Sequence, residues 1–180
     1  MKPRLFPNHG LTGPLLAALL CQPVMWAATI TWDGGPSGIG TDWATATNWT
    51  TDIAPADNIS TDSVVFNALT SGQPNLAANR SVVGINFTGN NGALNWTLSG
   101  DPGVTLSLGS GGIDSTGFRE GTVTVNVPNI TMGSTATTSW SIFESTGSLA
   151  TNSVFTVNSN IQANGTAQLD FLSNRASSGT

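Results

Sequence analysis

The sequence predicts an all-β protein, and it favours a solenoid of stacked coils over the alternative of an antiparallel β-sandwich. Apolar residues recur at every second position, which is the spacing of a half-buried strand, and no stretch keeps the spacing of an amphipathic helix over three turns. Clusters of Gly, Asn and Asp separate these runs. Several runs also look like degenerate copies of one another, and this similarity favours stacked repeats.

Residues 1–27 have the three-part organisation of a secretory signal peptide. Lys2 and Arg4 supply a positive region, and the apolar run "LTGPLLAALLCQPVMW" is too short and too broken for a membrane span. Ala27 and Ala28 offer small residues for cleavage, but Met25 or Trp26 stands where a further small residue is preferred. Cys21 offers lipid attachment as a minor alternative. We therefore expect Sec-type export to a secreted or cell-surface location and a mature chain that does not span a membrane.

Removal of this signal changes the chemistry that the chain can perform. The only histidine, cysteine and lysine, which are His9, Cys21 and Lys2, leave with it, and three arginines then face ten acidic residues, a formal charge of −7. Ser-His-Asp and Cys-His catalysis, zinc sites built on His and Cys, Schiff bases and P-loops are therefore excluded. An acidic surface also repels phosphate backbones, so the sequence predicts no nucleic-acid partner.

Strand-like alternation continues along the mature chain. The apolar positions expected to share a buried face are, in order, Ile30 and Trp32; Val83, Ile85 and Phe87; Leu94, Trp96 and Leu98; Val104, Leu106 and Leu108; Val123, Val125 and Val127; Trp140 and Ile142; Phe155 and Val157; and Leu169 and Phe171. The positions between them are mostly Thr, Ser and Asn, which favour a pleated surface or its turns.

Turns and apparent copies divide residues 81–180 into an irregular β-strand repeat region. The turns are "GNNG" (89–92), "SGDPG" (99–103), "GSGGID" (109–114) and "NG" (164–165). The copies are "VTLSL" (104–108), "VTVNV" (123–127) and "FTVNS" (155–159), with "WTLS" (96–99) similar to "WSIF" (140–143). Because their offsets are unequal, loops of varying length must join the coils. The polar end "FLSNRASSGT" offers no closing cap, so we expect a chain truncated at its C-terminus.

The order of motifs in the first part of the mature chain is the basis of a family resemblance. The motifs are "ITWDGG" (30–35), "DWATATNW" (42–49), "APADN" (54–58), "DSVVF" (62–66), "NLAANRSVVGINF" (75–87) and "LGSGGI" (108–113). In this order they resemble the start of autotransporter-associated β-strand repeat proteins, which are large bacterial secreted or surface proteins. The resemblance implies a right-handed parallel β-helix of the passenger type, secretion, and no enzymatic activity of the repeat itself.

Three tryptophans lie in the segment 28–80, and two interpretations of them remain open. Trp32, Trp43 and Trp49 could plug the open end of the first coil, because terminal repeats need special residues and a buried tryptophan contributes on the order of several kcal/mol. They could instead expose their rings as a platform on which sugar rings stack. We expect a Trp-rich N-terminal cap over 28–80, with ligand stacking as the alternative.

Acidic residues of the repeat region are candidates for glycosidase or lyase chemistry, which needs two carboxylates facing one another. Asp101, Asp114, Glu120 and Glu144 could converge on one face of stacked coils, with Arg119 as the nearby base that β-helix lyases commonly use. Any acidic protein offers such pairs, however. The interpretation as solvated turn residues is favoured, and no catalytic residue is assigned.

Calcium is the one metal that the mature chain could still hold, because calcium accepts oxygen ligands alone. The segment "TDIAPADNISTDS" places Asp52, Asp57 and Asp62 five residues apart with Asn58 between them. This spacing matches neither the EF-hand loop nor the nonapeptide calcium repeat, and Asp and Asn are also common in turns. The sequence thus predicts no cofactor and leaves calcium as a minor alternative.

Together these observations predict a non-enzymatic, secreted or cell-surface module for structure or interaction, the N-terminal part of a β-solenoid passenger. A surface polysaccharide or another cell-surface partner is the kind of ligand that such a module would meet. The alternative is a carbohydrate-active protein, either a sugar-binding module or a β-helix polysaccharide lyase.

Overall fold

Alternating apolar and polar residues build two parallel β-sheets whose buried faces meet in one core. The structure is a computed structural model, and it describes residues 28–68, 70, 72–89, 94–117, 121–133, 138–142, 153–164 and 169–173. Over these residues the protein is all-β, as predicted, with two short 3₁₀ turns at Ala46–Asn48 and Thr50–Asp52. The predicted signal peptide, residues 1–27, lies outside the described residues, as do Arg119, Glu120 and Glu144.

The described strands follow one another in short intervals along the chain. They are β1 (Ala28–Thr31), β2 (Asp62–Phe66), β3 (Asn75–Leu76), β4 (Arg80–Phe87), β5 (Leu94–Gly100), β6 (Thr105–Asp114), β7 (Gly121–Asn126), β8 (Asn129–Met132), β9 (Thr138–Ile142), β10 (Ser153–Val157), β11 (Asn160–Ala163) and β12 (Leu169–Ser173).

These strands form an eight-stranded sheet and a four-stranded sheet. The first has the order β1-β2-β4-β6-β8-β11, and β9 joins it by pairing with both β6 and β12; the second has the order β3-β5-β7-β10. Every strand pair in the described part of the chain is parallel. The alternative of an antiparallel β-sandwich is therefore wrong. Hairpin turns would make neighbouring strands antiparallel, whereas each strand here pairs with one that the chain reaches only after crossing to the other sheet.

The parallel register places apolar side chains of neighbouring strands directly beside one another in the core. Phe66 of β2 pairs with Phe87 of β4, and their rings are stacked with centroids 5.1 Å apart. The centroid of Phe66 also lies 5.1 Å from that of Trp96 on β5, which joins the core faces of the two sheets. In the second sheet Trp96 pairs with Val123, which in turn pairs with Phe155. The core is thus a set of columns that run from one strand to the next.

The predicted alternation holds in most strands, and its failure in β4 has a physical cause. Val104, Leu106 and Leu108 are buried as expected. In β4, Ile85 and Phe87 are buried as expected, but Val82 is buried in place of Val83, which is only half-buried. The register between β4 and β6 shifts between Val82 and Gly84, so the phase of the alternation changes there. The expectation for Val83 is therefore wrong because the irregularity changes which face each residue occupies.

The glycine-rich stretch of β6 produces this irregularity. Val82 pairs with Leu108, but Gly84 pairs with Gly112, so β6 carries extra residues opposite Val83. Gly112 has a φ of 56°, a left-handed conformation that favours glycine. A side chain at Gly109 would overlap the carbonyl oxygen of Ile59, so the loop before β2 lies directly against the backbone of β6. The segment "LGSGGI" therefore allows close backbone approach on both sides.

Candidate functional site

The three candidate stacking tryptophans come together in space, and they come together in the interior. Trp32 and Trp43 are each 1% exposed and Trp49 is fully buried. The indole of Trp49 makes edge contacts with both others, with centroids 4.9 Å from Trp32 and 4.8 Å from Trp43. All three rings also lie 6.2–6.4 Å from the ring of Phe66. In this arrangement no ring of the cluster presents a face to solvent on which a sugar could stack.

The polar edges of two of these indoles are satisfied inside the cluster. The Trp49 Nε1–H donates to the carbonyl oxygen of Trp43 at 2.7 Å, and the Trp32 Nε1–H donates to the carbonyl oxygen of Gly72 at 3.2 Å. A buried donor without a partner costs about 1–3 kcal/mol. These hydrogen bonds therefore hold the two rings in their orientations, in addition to the packing. The cluster is therefore oriented by specific hydrogen bonds.

The backbone places this cluster at the first edge of both sheets. Trp32 follows β1, the outermost strand of the first sheet, and forms an isolated antiparallel bridge with Trp49. Asp42 forms a parallel bridge with Asn75 at β3, the outermost strand of the second sheet, and the Trp43 N–H donates to the Asn75 carbonyl oxygen at 3.0 Å. One segment thus extends both sheets and holds three indoles over the end of the core.

The Gly-Gly and Asn-Trp motifs are parts of one local structure. Asn48 is buried, and its Nδ2 donates to the carbonyl oxygen of Asp42 at 2.8 Å. The Asn48 carbonyl oxygen accepts the backbone N–H groups of Asp33 and Gly34, at 3.1 and 3.2 Å. A side chain at Gly40 would overlap the Asn48 amide, so the glycine turn fits around this residue. The glycines and the Asn-Trp pair are therefore spaced so that one loop packs around the buried side chain of Asn48.

The outer edge of β1 borders a groove of about 370 Å³. It is lined by β1, by Thr50, Thr51 and Ile53, and by Asp62 at the start of β2. The hydroxyl of Thr50 donates to the carbonyl oxygen of Thr31 at 3.1 Å and so covers part of the strand edge. The next residue, Thr51, has a φ of 72°, a left-handed conformation that is uncommon for a threonine.

The acidic residues considered for calcium are separated rather than gathered. The carboxylate of Asp57 lies 3.9 Å from the guanidinium of Arg80, Asp52 is exposed, and Asp62 is buried. Asn58 Oδ1 accepts the backbone N–H of Ser60 at 2.7 Å, which is a turn contact. Within the residues that the structure describes, no group of three or more His, Cys, Asp or Glu side chains could hold a metal ion.

Asp101 and Asp114, two of the acids considered for catalysis, each accept a hydrogen bond within the fold. Asp101 Oδ1 accepts from the side-chain amide of Asn75 at 3.0 Å, and Asp114 Oδ1 accepts from the backbone N–H of Thr116 at 2.8 Å. The first contact links neighbouring strands of the second sheet and the second closes a turn. The proposed partners Glu120 and Glu144, and the proposed base Arg119, lie outside the described residues.

The outer face of the second sheet carries a regular set of polar contacts between strands that sequence reasoning did not single out. The Thr122 hydroxyl donates to Asn95 Oδ1 at 2.6 Å, and Asn158 Nδ2 donates to Asn126 Oδ1 at 2.8 Å. The residues of these pairs are 27 and 32 positions apart in the sequence. The sequence does show outward Thr and Asn residues that could form such contacts. Which residue pairs with which depends on the lengths of the loops between the strands.

Comparison of the chain with protein-family models, with curated proteins and with solved structures finds no match. Among the described residues, no helix has the length and apolarity needed to cross a membrane.

Proposed function

We propose that this chain is the N-terminal part of an exported β-solenoid, a non-enzymatic module that presents a structural or interaction surface outside the cell. One observation carries the proposal: the chain crosses repeatedly between two sheets, and in each sheet later strands pair in parallel with earlier ones. A passenger that projects from a cell surface needs an elongated stack of this kind. The resemblance of the motifs to autotransporter-associated repeats supports the same assignment.

Side-chain contacts between successive strands support a solenoid with coils of unequal length. The Thr97 N–H donates to Gln73 Oε1 across 24 residues of sequence, and the Thr122 hydroxyl donates to Asn95 across 27. The Asn126–Asn158 contact spans 32. We take the coil to be right-handed because crossover connections between parallel strands are almost always right-handed.

The tryptophan cluster supports the interpretation of residues 28–80 as a cap. An open stack exposes the end of its core and the unpaired edges of its first strands. Here the rings of Trp32, Trp43 and Trp49 lie over the core at the end where β1 and β3 are the outermost strands. Their burial also removes the observation on which a sugar-binding platform would depend, so the carbohydrate-active alternative gains no support.

A cross-linking experiment tests the stacked register. Thr124 pairs with Thr156 on the next strand, and Thr97 pairs with Thr124 on the preceding one. In a Cys21→Ser background, the double variant Thr124→Cys and Thr156→Cys should form an intramolecular disulfide on mild oxidation, because adjacent strands lie about 4.7–4.9 Å apart. The matched pair Thr97→Cys and Thr156→Cys skips one strand and should not. Cross-linking in the second pair but not in the first would overturn the solenoid.

A localisation experiment tests the cellular part of the proposal. The full chain, produced in a Gram-negative host, should appear in the medium or at the cell surface, where added protease digests it without lysis. A variant without residues 2–27 should stay inside the cell. Retention of the full chain in the cytoplasm would contradict the proposal, as would cleavage of a polysaccharide panel by the purified protein.

A further inference from the structure

Asp62 is a buried carboxylate whose described partners carry no positive charge. Its residue is 6% exposed, and Oδ2 accepts the backbone N–H of Ala56 at 2.7 Å. Oδ1 lies 3.4 Å from the backbone nitrogen of Ala28. Arg80, the basic residue of the described part of the chain, pairs with Asp57 instead. A buried carboxylate is costly unless a cation compensates it, so the position calls for a positive charge near Oδ1.

The nitrogen of Ala28 is placed to supply that charge. It lies 3.2 Å from the carbonyl oxygen of Thr61 and 3.4 Å from Asp62 Oδ1, so two acceptors converge on it. An amide nitrogen has one hydrogen for both acceptors, and the second distance is long for a hydrogen bond. An ammonium group has three hydrogens and satisfies both acceptors with one to spare for water. Ala28 and Asp62 both line the groove beside β1, so this end of the strand is open to solvent.

We propose that the peptide bond between Ala27 and Ala28 is cut during export, and that the new α-ammonium group of Ala28 forms an ion pair with Asp62. Ala28 is the first residue of β1 and directly follows the predicted signal peptide. The pair ties the new N-terminus to the first residue of β2 and so fastens the outermost strand of the cap. This inference rests on the export that is part of the proposed function.

The chemistry of the step is an amide hydrolysis by an endopeptidase of the export machinery that cuts after small residues. Water adds its oxygen to the carbonyl carbon of Ala27, the C–N bond breaks, and both protons of the water end on the nitrogen of Ala28. The leader departs with a carboxylate. An α-amino group has an ordinary pKa of about 7.7–8.0, so the freed nitrogen is mostly an ammonium at neutral pH. Asp62 is the only ionisable side chain among the residues that line the groove, and its Oδ1 lies 3.4 Å from the nitrogen of Ala28.

The first arm of the test is the N-terminus of the exported protein. N-terminal sequencing and the intact mass of material recovered outside the cell should both give a chain that starts at Ala28. Any other start, including a lipid-modified Cys21, overturns this inference while leaving export intact. Failure of the chain to leave the cytoplasm overturns both this inference and the proposed function, so the two failures are distinguishable.

The second arm measures the ion pair. Because Lys2 is the only lysine and leaves with the leader, the α-amine is the only primary amine of the mature chain. Acetylation removes its charge, whereas reductive dimethylation keeps it; each leaves one hydrogen on the nitrogen, so the comparison isolates the charge. Acetylation should raise the unfolding equilibrium constant about tenfold or more, the scale of a lost hydrogen bond to a charged group, and dimethylation should change it much less. Equal effects of the two modifications would overturn the pair.

An isosteric variant provides the matched control. In Asp62→Asn the carboxylate is gone, so acetylation should no longer change the unfolding equilibrium constant. An undiminished effect of acetylation in this variant would show that the ammonium acts elsewhere and would overturn the assignment to Asp62. If Asp62→Asn does not fold, the comparison of the two modifications on the unaltered chain still decides the question.

Discussion

The indole of Trp49 stands perpendicular to that of Trp32, with an interplanar angle of 88° and centroids 4.9 Å apart. The two residues also form a backbone bridge, so one contact joins the strand β1 to the Asn-Trp motif. Edge-to-face pairs of this kind add about 0.5–1.5 kcal/mol beyond the burial of their surface. The backbone bridge and the ring contact together hold the Trp-Asp-Gly-Gly turn that begins at Trp32 against the Asn-Trp pair that ends at Trp49.

Trp49→Ala should lower the free energy of unfolding by about 3–5 kcal/mol, because it removes a fully buried indole and its contacts with two others. Urea denaturation of the purified protein gives the value. The control is Ile39→Ala, since Ile39 is 65% exposed and its loss should change stability by less than about 0.5 kcal/mol. A loss for Trp49→Ala as small as the control would mean that the tryptophans do not hold the cap together.

Asn48→Ala should cost about 1–3 kcal/mol, because the Asp42 carbonyl oxygen loses its side-chain donor in a buried site. The matched variant is Asn58→Ala, whose amide oxygen serves an exposed turn contact and whose loss should cost clearly less. Thermal unfolding of both variants under identical conditions makes the comparison. Similar losses would show that Asn48 has no special place in the glycine loop.

Gly109→Ala should destabilise the protein strongly, because the new methyl group would overlap the carbonyl oxygen of Ile59, a backbone atom that cannot rotate away. The control variant is Gly103→Ala, which introduces backbone strain without a steric overlap. Gly103 has a φ of 84° but open space around its missing side chain, so only the conformational cost of about 1 kcal/mol applies. Chemical denaturation should therefore rank Gly109→Ala as the more damaging change. The reverse order would place the Ile59 loop elsewhere.

Tryptophan fluorescence of the protein without residues 1–27 should be blue-shifted and should resist quenching by acrylamide. All tryptophans of the described chain, Trp32, Trp43, Trp49, Trp96 and Trp140, are at most 1% exposed. Added polysaccharides should leave the spectrum unchanged. A saturable spectral shift with one polysaccharide, absent with the others, would instead favour the carbohydrate-binding alternative.

Calcium should not change the melting temperature, because Asp52, Asp57 and Asp62 do not converge on one point. Unfolding curves recorded with millimolar calcium and with a chelator should coincide. A shift that saturates with calcium would require a site that the described residues do not form, since a ligand bound only by the folded state raises its stability.

The repeats show where sequence similarity succeeds and where it misleads. The copies at 123–127 and 155–159 do stack, since Val123 pairs with Phe155 in the second sheet. The copy at 104–108 instead lies largely in β6 of the first sheet, and Leu106 pairs with Ile130. Valine-threonine alternation describes any half-buried strand, so it cannot distinguish one sheet from another. Register depends on the lengths of the connecting loops.

The sequence by itself determined the all-β class, the strands and most of their buried positions, because alternation with period two is a local property of each strand. It also established that residues 28–180 contain no His, Cys or Lys. Only the tertiary structure decided that the strands pair in parallel, that Trp32, Trp43 and Trp49 face inward, and that Asp62 meets Ala28. These are relationships between segments distant in sequence, and burial of the shared core selects them.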